Sequence, residues 1–265
     1  MKRTFRIILL CTVLILSCLF VSCKGKAPTL KYQDGGGFRN PQTDISYYPT
    51  SPNYFSKPAG DTPYAKIKVS GGGADILLYE IAGIDPERYL VDNGYSIYAA
   101  AGAELPKLYD FPCSRVGIYD TQVSSNDGNI TDADAILALK QIPLGAVAVE
   151  LNTVRYYVDE NTAWYDLHFM GDGVYSGIYY QLKYGVFVED VVVIEYVEKD
   201  ANGHFINLYP GIPYEITDEI DEEGRGYQVA RYNFGKEILC DWSTGNCYKI
   251  ENSLRPYFTS TGEQE

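Results

Sequence analysis

The chain has 265 residues, with 35 acidic against 22 basic side chains and a net charge of −13. That balance excludes binding to nucleic acid through the phosphates, which it would repel, and it disfavours docking on anionic lipid through the protein surface. An apolar content of 46% suffices for one large domain or two small ones, and two histidines are too few for most metal centres.

The chain opens with Lys2, Arg3 and Arg6, followed by the uncharged apolar run Ile7 to Val21 and then Ser22-Cys23-Lys24. Basic start, apolar middle and small-residue end form the layout of a secretory signal, and the run is short for a membrane span. Leu19-Phe20-Val21-Ser22-Cys23 resembles the lipobox of bacterial lipoproteins. The resemblance implies that residues 1–22 are a removed signal peptide and that Cys23 carries a diacylglycerol. It places the chain in the bacterial cell envelope, lipid-anchored on the extracytoplasmic side of a membrane. Labelled palmitate would trace the anchor. Ile15-Leu16-Ser17-Cys18 has a similar pattern, but cleavage there would leave Leu19, Phe20 and Val21 exposed behind the anchor. Loss of the signal makes the exported chain three charges more negative.

Residues 23–62 read as lipid anchor and flexible tether. Gly35-Gly36-Gly37, several prolines and the lack of a sustained apolar period point that way, while Tyr47, Tyr48, Tyr54 and Phe55 are numerous for a tether and would let part of it pack on the domain. A tether of this length spans on the order of 35 Å. The globular part is 63–251, as one unit or as two subdomains, 63–145 and 146–251. Residues 252–265 read as a polar, frayed tail.

Within the globular part, Lys66 to Val69, Asp75 to Ile81, Tyr95 to Ala101 and Arg115 to Tyr119 are short strand-like runs. Ser70-Gly71-Gly72-Gly73 between the first two is a loose turn, since a P-loop would carry Lys-Ser/Thr. Asp85 to Leu90 reads as a helical turn with Pro86 at its first position. One main helix is predicted over about 131–142. Thr131 or Asp132 caps it, Ala135, Ile136, Leu139 and Ile142 recur at helical spacing, and Pro143 and Gly145 end it.

The second half is strand after strand: Val154 to Val158, Ala163 to Phe169, Ile178 to Tyr184, Val191 to Glu198, Phe205 to Tyr209, Val229 to Phe234, Glu237 to Asp241 and Cys247 to Ile250. Ile178, Tyr180, Leu182 and Tyr184 alternate with Tyr179, Gln181 and Lys183. Asn202-Gly203 reads as a tight hairpin turn, and Asp218 to Glu223 as a solvated loop. Cys240 and Cys247 flank the turn Ser243 to Asn246, and a disulfide across it or two free thiols would both fit. The expected fold class is α+β, mostly antiparallel sheet with one main helix packed on it.

Chemistry-bearing constellations are few. Ser125-Asn126-Asp127-Gly128-Asn129, running through Asp134 into the helix, resembles the calcium loop of EF-hand and dockerin modules. The resemblance implies calcium ligation by Ser125, Asp127, Asn129 and Asp134, although Val123 stands where the first ligand oxygen belongs. An Asn/Asp/Gly turn feeding a capped helix explains the same residues. Beyond calcium, no cofactor is expected. Glu80, Glu150, Asp166, Glu189, Asp190 and Glu195 lie on or near predicted strands, and any two could make a carboxylate pair. Asp166 and His168 point the same way along one strand, between Trp164 and Met170. Gly173 to Gly177 has the wrong spacing around Ser176 for a nucleophile elbow, and Cys113 has no histidine near it. Twenty-five tyrosines suit either strands or an exposed surface for a glycan or protein partner. The expected function is a non-enzymatic binding or interaction module with a glycan or protein partner. The alternative is an extracytoplasmic hydrolase built on carboxylates such as Glu150 or Asp166.

Overall fold

The computed structural model describes residues 27–121, 126–145, 147, 149–150, 163–250 and 252–258. The first half holds β1 (Thr29–Tyr32), β2 (Phe38–Arg39), β3 (Ser46–Pro49), β4 (Tyr54–Ser56), β5 (Ala65–Ile67), β6 (Ile76–Tyr79), β7 (Tyr89–Asp92) and β8 (Ile97–Ala100). There follow β9 (Cys113–Asp120), β10 (Asn126–Ile130), the helix α1 (Ala133–Gln141), β11 (Val149–Glu150), β12 (Ala163–Gly171) and β13 (Ile178–Val186). The chain then runs through β14 (Val192–Tyr196), β15 (Tyr214–Ile220), β16 (Gly226–Asn233), β17 (Glu237–Asp241) and β18 (Asn246–Lys249).

This corrects the α+β expectation. The fold is β-rich, because the described residues set one nine-residue α-helix against eighteen strands and close seven of them into a barrel. The barrel order is β1-β2-β3-β8-β7-β6-β5. A ring of seven strands cannot be antiparallel at every seam, and β1 closes on β5 in parallel, with Leu30 opposite Ile67. Its interior is filled by Leu30, Tyr47, Ala65, Ile67, Leu78 and Leu90.

The tether expectation also fails from Thr29 onward. Residues 29–56 supply three barrel strands and β4, which crosses to pair with β13. Tyr47 is fully buried and its hydroxyl donates to the Pro86 carbonyl at 2.9 Å. Strands of two to four residues are too short to show an apolar period, and the glycines that suggested a linker make a tight turn, with φ of 92° at Gly35 and 85° at Gly36.

The large sheet runs β10-β9-β12-β13-β17-β18-β11, with β4 beside the first half of β13. It crosses the proposed 145/146 division, because β12 pairs with β9 along seven residue pairs. One face is core: Val116, Ile118, Leu167, Phe169, Ile178, Tyr180 and Leu182 pack there with Ala135, Ile136 and Leu139 of α1. Asp132 caps α1 by accepting from the Ala135 amide at 2.8 Å, and Ile142–Leu144 extends it as a 3-10 turn. Leu254 and Phe258 are buried in the same core, and Phe258 stacks on Tyr184, so the tail is docked through 258.

A third sheet, β14-β16-β15, covers a second core around Tyr209, Tyr232, Phe234 and the Cys240–Cys247 disulfide. Here two strand expectations change. Asn202-Gly203 lies in a turn organised by Asp200, whose carboxylate accepts from the Asn202 and His204 amides. Phe205 makes only an isolated bridge to Lys199, and β14 pairs with β16 instead. Asp218 and Glu219 belong to β15 rather than to a loop, because Gln228 and Arg231 on the neighbouring strand satisfy them. The expected strand Val154 to Val158 lies outside the described residues.

Candidate functional site

The site lies on the face of the large sheet opposite the core. Side chains alternate along a strand, so the residues that bury Leu167 and Phe169 turn Trp164, Asp166, His168 and Met170 the other way. On β13 the same rule turns out Tyr179, Gln181 and Lys183, and on β9 Gly117 and Tyr119. Register sets the neighbours: His168 lies opposite Gln181 on one side and Gly117 on the other, and Tyr179 lies opposite Phe55 of β4.

Four rings form a row across four strands. Phe55 stacks on Tyr179 with centroids 5.8 Å apart, Tyr179 on His168 at 4.5 Å, and His168 against Tyr119 at 4.4 Å. The Tyr179 and His168 rings stack at 23°, His168 is tilted by 32° from Tyr119, and Phe55 is offset on Tyr179, so the two middle rings have neighbours on both faces and present their edges to the cavity. Glycine at 117 makes the row possible. A Cβ there would come 2.7 Å from Cε2 of Tyr119 and 3.2 Å from Cε of Met170.

The row floors a cavity of about 740 Å³ between this face and the barrel rim. Its opposite wall is apolar: Pro58, Ala59, Ile81 and Ala82, with Tyr95 at the mouth. Gly177 lets the two halves meet, since a Cβ there would lie 2.6 Å from Cγ2 of Ile81. Tyr95 has φ of 70°, a left-handed conformation strained for a non-glycine residue. The turn is held by the Asp92 carboxylate, which accepts from the Gly94 and Ser96 amides, and by the Ser56 amide, which donates to the Tyr95 carbonyl at 3.0 Å.

Two charges meet the cavity. Asp166 is ion-paired with Lys183, both about one-fifth exposed, and the Lys183 ammonium also lies 5.3 Å from the Trp242 ring centroid. Lys57 lies on the cavity wall. Burial first, and the nearby Lys183 and Lys57 charges after it, depress His168 to about 4 against the opposing pull of Asp166, so the imidazole is neutral at neutral pH. Burial, with Tyr119, Tyr95 and Asp166 nearby, pushes the Tyr179 phenol up to about 12. The side chains of Tyr95, Tyr119, His168, Tyr179 and Gln181 make no hydrogen bond to another protein group among the described residues.

Of the residues expected to carry chemistry, Asp166 and His168 are brought together in this cavity. Ser176 lines it too, without a hydrogen bond to His168, and His168 makes none to Asp166. The other acids lie elsewhere. Glu150 is exposed on β11, Glu80, Glu189 and Asp190 are exposed, and Glu195 accepts from the Tyr209 hydroxyl at 2.7 Å. Asp166 is the one carboxylate among the described residues lining the cavity. In the calcium-loop resemblance, Val123 and Ser125 lie outside the described residues. Asp127 and Asn129 fall on β10, a strand paired with β9, and Asp134 is exposed in the first turn of α1. No group of three or more His, Cys, Asp or Glu side chains that could hold a metal occurs among the described residues. Cys240 and Cys247 are bonded across β17 and β18, and Cys113 is free. Cys23 lies outside the described residues.

Phe55, Tyr119 and Tyr179 are the site residues that sequence reasoning missed. The one available signal was the placing of Tyr179 on the polar side of an alternating strand. Comparison with protein-family models, with curated proteins and with solved structures gives no match in any of the three.

Proposed function

We propose that this chain is an exported, lipid-anchored envelope protein and that the cavity between the barrel and the large sheet is the ligand site of a non-enzymatic binding module. The observation that carries this reading is the set of five polar side chains around one cavity that have no hydrogen-bond partner among the described residues, and the one acid lining it among those residues, Asp166, is held by Lys183. The volume falls inside the range of roughly 300–1,000 Å³ common for small-molecule sites, and the lining combines apolar walls with a few convergent polar groups, as such sites do. The hydrolase alternative needs a second acid or a nucleophile in contact with a base. Neither is formed by the described residues of the cavity. The Cys240–Cys247 disulfide supports a life outside the cytoplasm, where such bonds persist.

Two measurements test the two halves of this reading. Growth with labelled palmitate should label the wild-type chain and leave Cys23→Ala unlabelled. Equal labelling of both removes the anchor. The exported chain should show no turnover of chromogenic glycoside and ester substrates. Turnover that disappears in Asp166→Asn would make the cavity an active site.

A further inference from the structure

We infer that the ligand of this cavity is a neutral, polyhydroxylated molecule, a mono- or oligosaccharide without acidic groups. The inference rests on the reading of the cavity as a binding site and adds the class of ligand.

The cavity offers phenol hydroxyls at Tyr95, Tyr119 and Tyr179, an imidazole at His168 and a carboxamide at Gln181. Each of these groups both donates and accepts hydrogen bonds when neutral. Charged ligands demand something else. An anion takes donors with positive charge behind them, and a cation takes acceptors. Here His168 is uncharged at neutral pH, Asp166 and Lys183 neutralise each other, and the remaining lining charge, Lys57, is exposed on the wall where water solvates it. Sugar hydroxyls are themselves both donors and acceptors, so a lattice of neutral amphoteric groups matches them without leaving a buried charge unpaired.

The rest of the cavity fits the apolar side of the same molecule. A pyranose has C–H faces as well as hydroxyl rims. Pro58, Ile81 and Ala82 form an apolar wall facing the ring row, and the Tyr95 ring is 46% exposed at the mouth. A half-exposed tyrosine fixed in a strained turn is a preformed surface for a sugar C–H face, since holding the ring in place before binding removes an ordering cost. The two middle rings of the row, Tyr179 and His168, have ring neighbours on both sides and leave their edges to the cavity, which suits hydroxyl rims better than a flat aromatic ligand seeking ring faces.

The exported chain, from Cys23 onward, should be titrated in detergent by calorimetry and by tyrosine fluorescence. The probes are neutral gluco-, manno-, galacto- and xylo-oligosaccharides, with uronic-acid and sulfated oligosaccharides and an aromatic dye as comparison ligands. We expect at least one neutral oligosaccharide to bind. Its affinity should fall about tenfold or more in Tyr179→Ala and in the milder Gln181→Ala, and stay unchanged in Tyr32→Ala, which is 70% exposed and outside the cavity lining. Circular dichroism on each variant separates lost binding from lost folding, and Gln181→Ala keeps the test alive if Tyr179→Ala unfolds. Binding of the acidic sugars or the dye alone, sensitive to Gln181→Ala, overturns the sugar assignment and leaves the cavity as a site. Binding of a neutral sugar insensitive to every cavity variant overturns both.

Discussion

The two faces of β12 and β13 are made by the same eighteen residues and differ in what their side chains do. Toward the helix, Leu167, Phe169, Leu182 and Ile178 are at most 1% exposed, and the buried Tyr180 phenol is held by Asn53 and Asp241. Toward the barrel rim, His168, Tyr179 and Gln181 are half-buried in a cavity, and their side-chain polar atoms have no partner among the described residues. The inner face therefore carries stability, and the outer face retains polar groups available to something else. Period-two alternation allows both on one strand pair, because no side chain has to serve both faces.

The largest break in this comparison should come from the inner face. Phe169→Ala removes a fully buried ring from the centre of the core and should cost about 3–5 kcal/mol, enough to lower the urea midpoint sharply. Met170→Ala, the next residue along and on the cavity side, should cost about 1 kcal/mol. Equal losses from the two substitutions would mean that the faces do not divide the work.

The next effect is electrostatic and belongs to His168. In the unfolded chain its imidazole takes up a proton near its ordinary 6.5, but in the fold only near 4. Between those values the unfolded state binds more protons. The stability contribution is therefore fully present above pH 6.5 and is lost as pH falls toward 4, by up to about 3 kcal/mol. Asp166, Lys183 and Lys57 are the charges facing the ring. His168→Gln keeps a neutral polar group there and should flatten this part of the stability profile. Thermal melts of both proteins between pH 4 and pH 7 measure the difference, and parallel profiles would place the titration elsewhere.

What could be read from the sequence follows from how local each signal is. The alternation of Ile178 to Tyr184, the Asp132 cap and the apolar spacing of α1 depend on neighbours in the chain, and the structure carries them as read. The barrel was hidden because its strands are two to four residues long and its closure joins β1 to β5 across more than thirty residues. The acidic stretch in β15 looked solvated because its partners, Gln228 and Arg231, lie on another strand. The site was half legible for the same reason. Asp166 and His168 share one strand, whereas Phe55, Tyr119 and Tyr179 reach them only through the registers of β4, β9 and β13. Many of the twenty-five tyrosines that suggested a binding surface are core residues. Tyr47, Tyr54 and Tyr89 are buried with their hydroxyls on backbone carbonyls.

The smallest expected change in stability gives the most specific test of the comparison. Gln181 lies directly opposite His168, half-buried, with its carboxamide bonded to no group among the described residues. Removing that carboxamide takes away no hydrogen bond made by the described residues and leaves none of them unpaired, so Gln181→Ala should shift unfolding by no more than about 0.5 kcal/mol. Its backbone amide still donates to the Asn53 carbonyl at 2.8 Å, and the strand pairing is untouched. Leu182→Ala, one residue on and facing the core at 1% exposure, should cost about 2–5 kcal/mol. A large loss in Gln181→Ala would show that the carboxamide is part of what holds the sheet, and the outer face would then be a structural surface rather than one kept for a ligand.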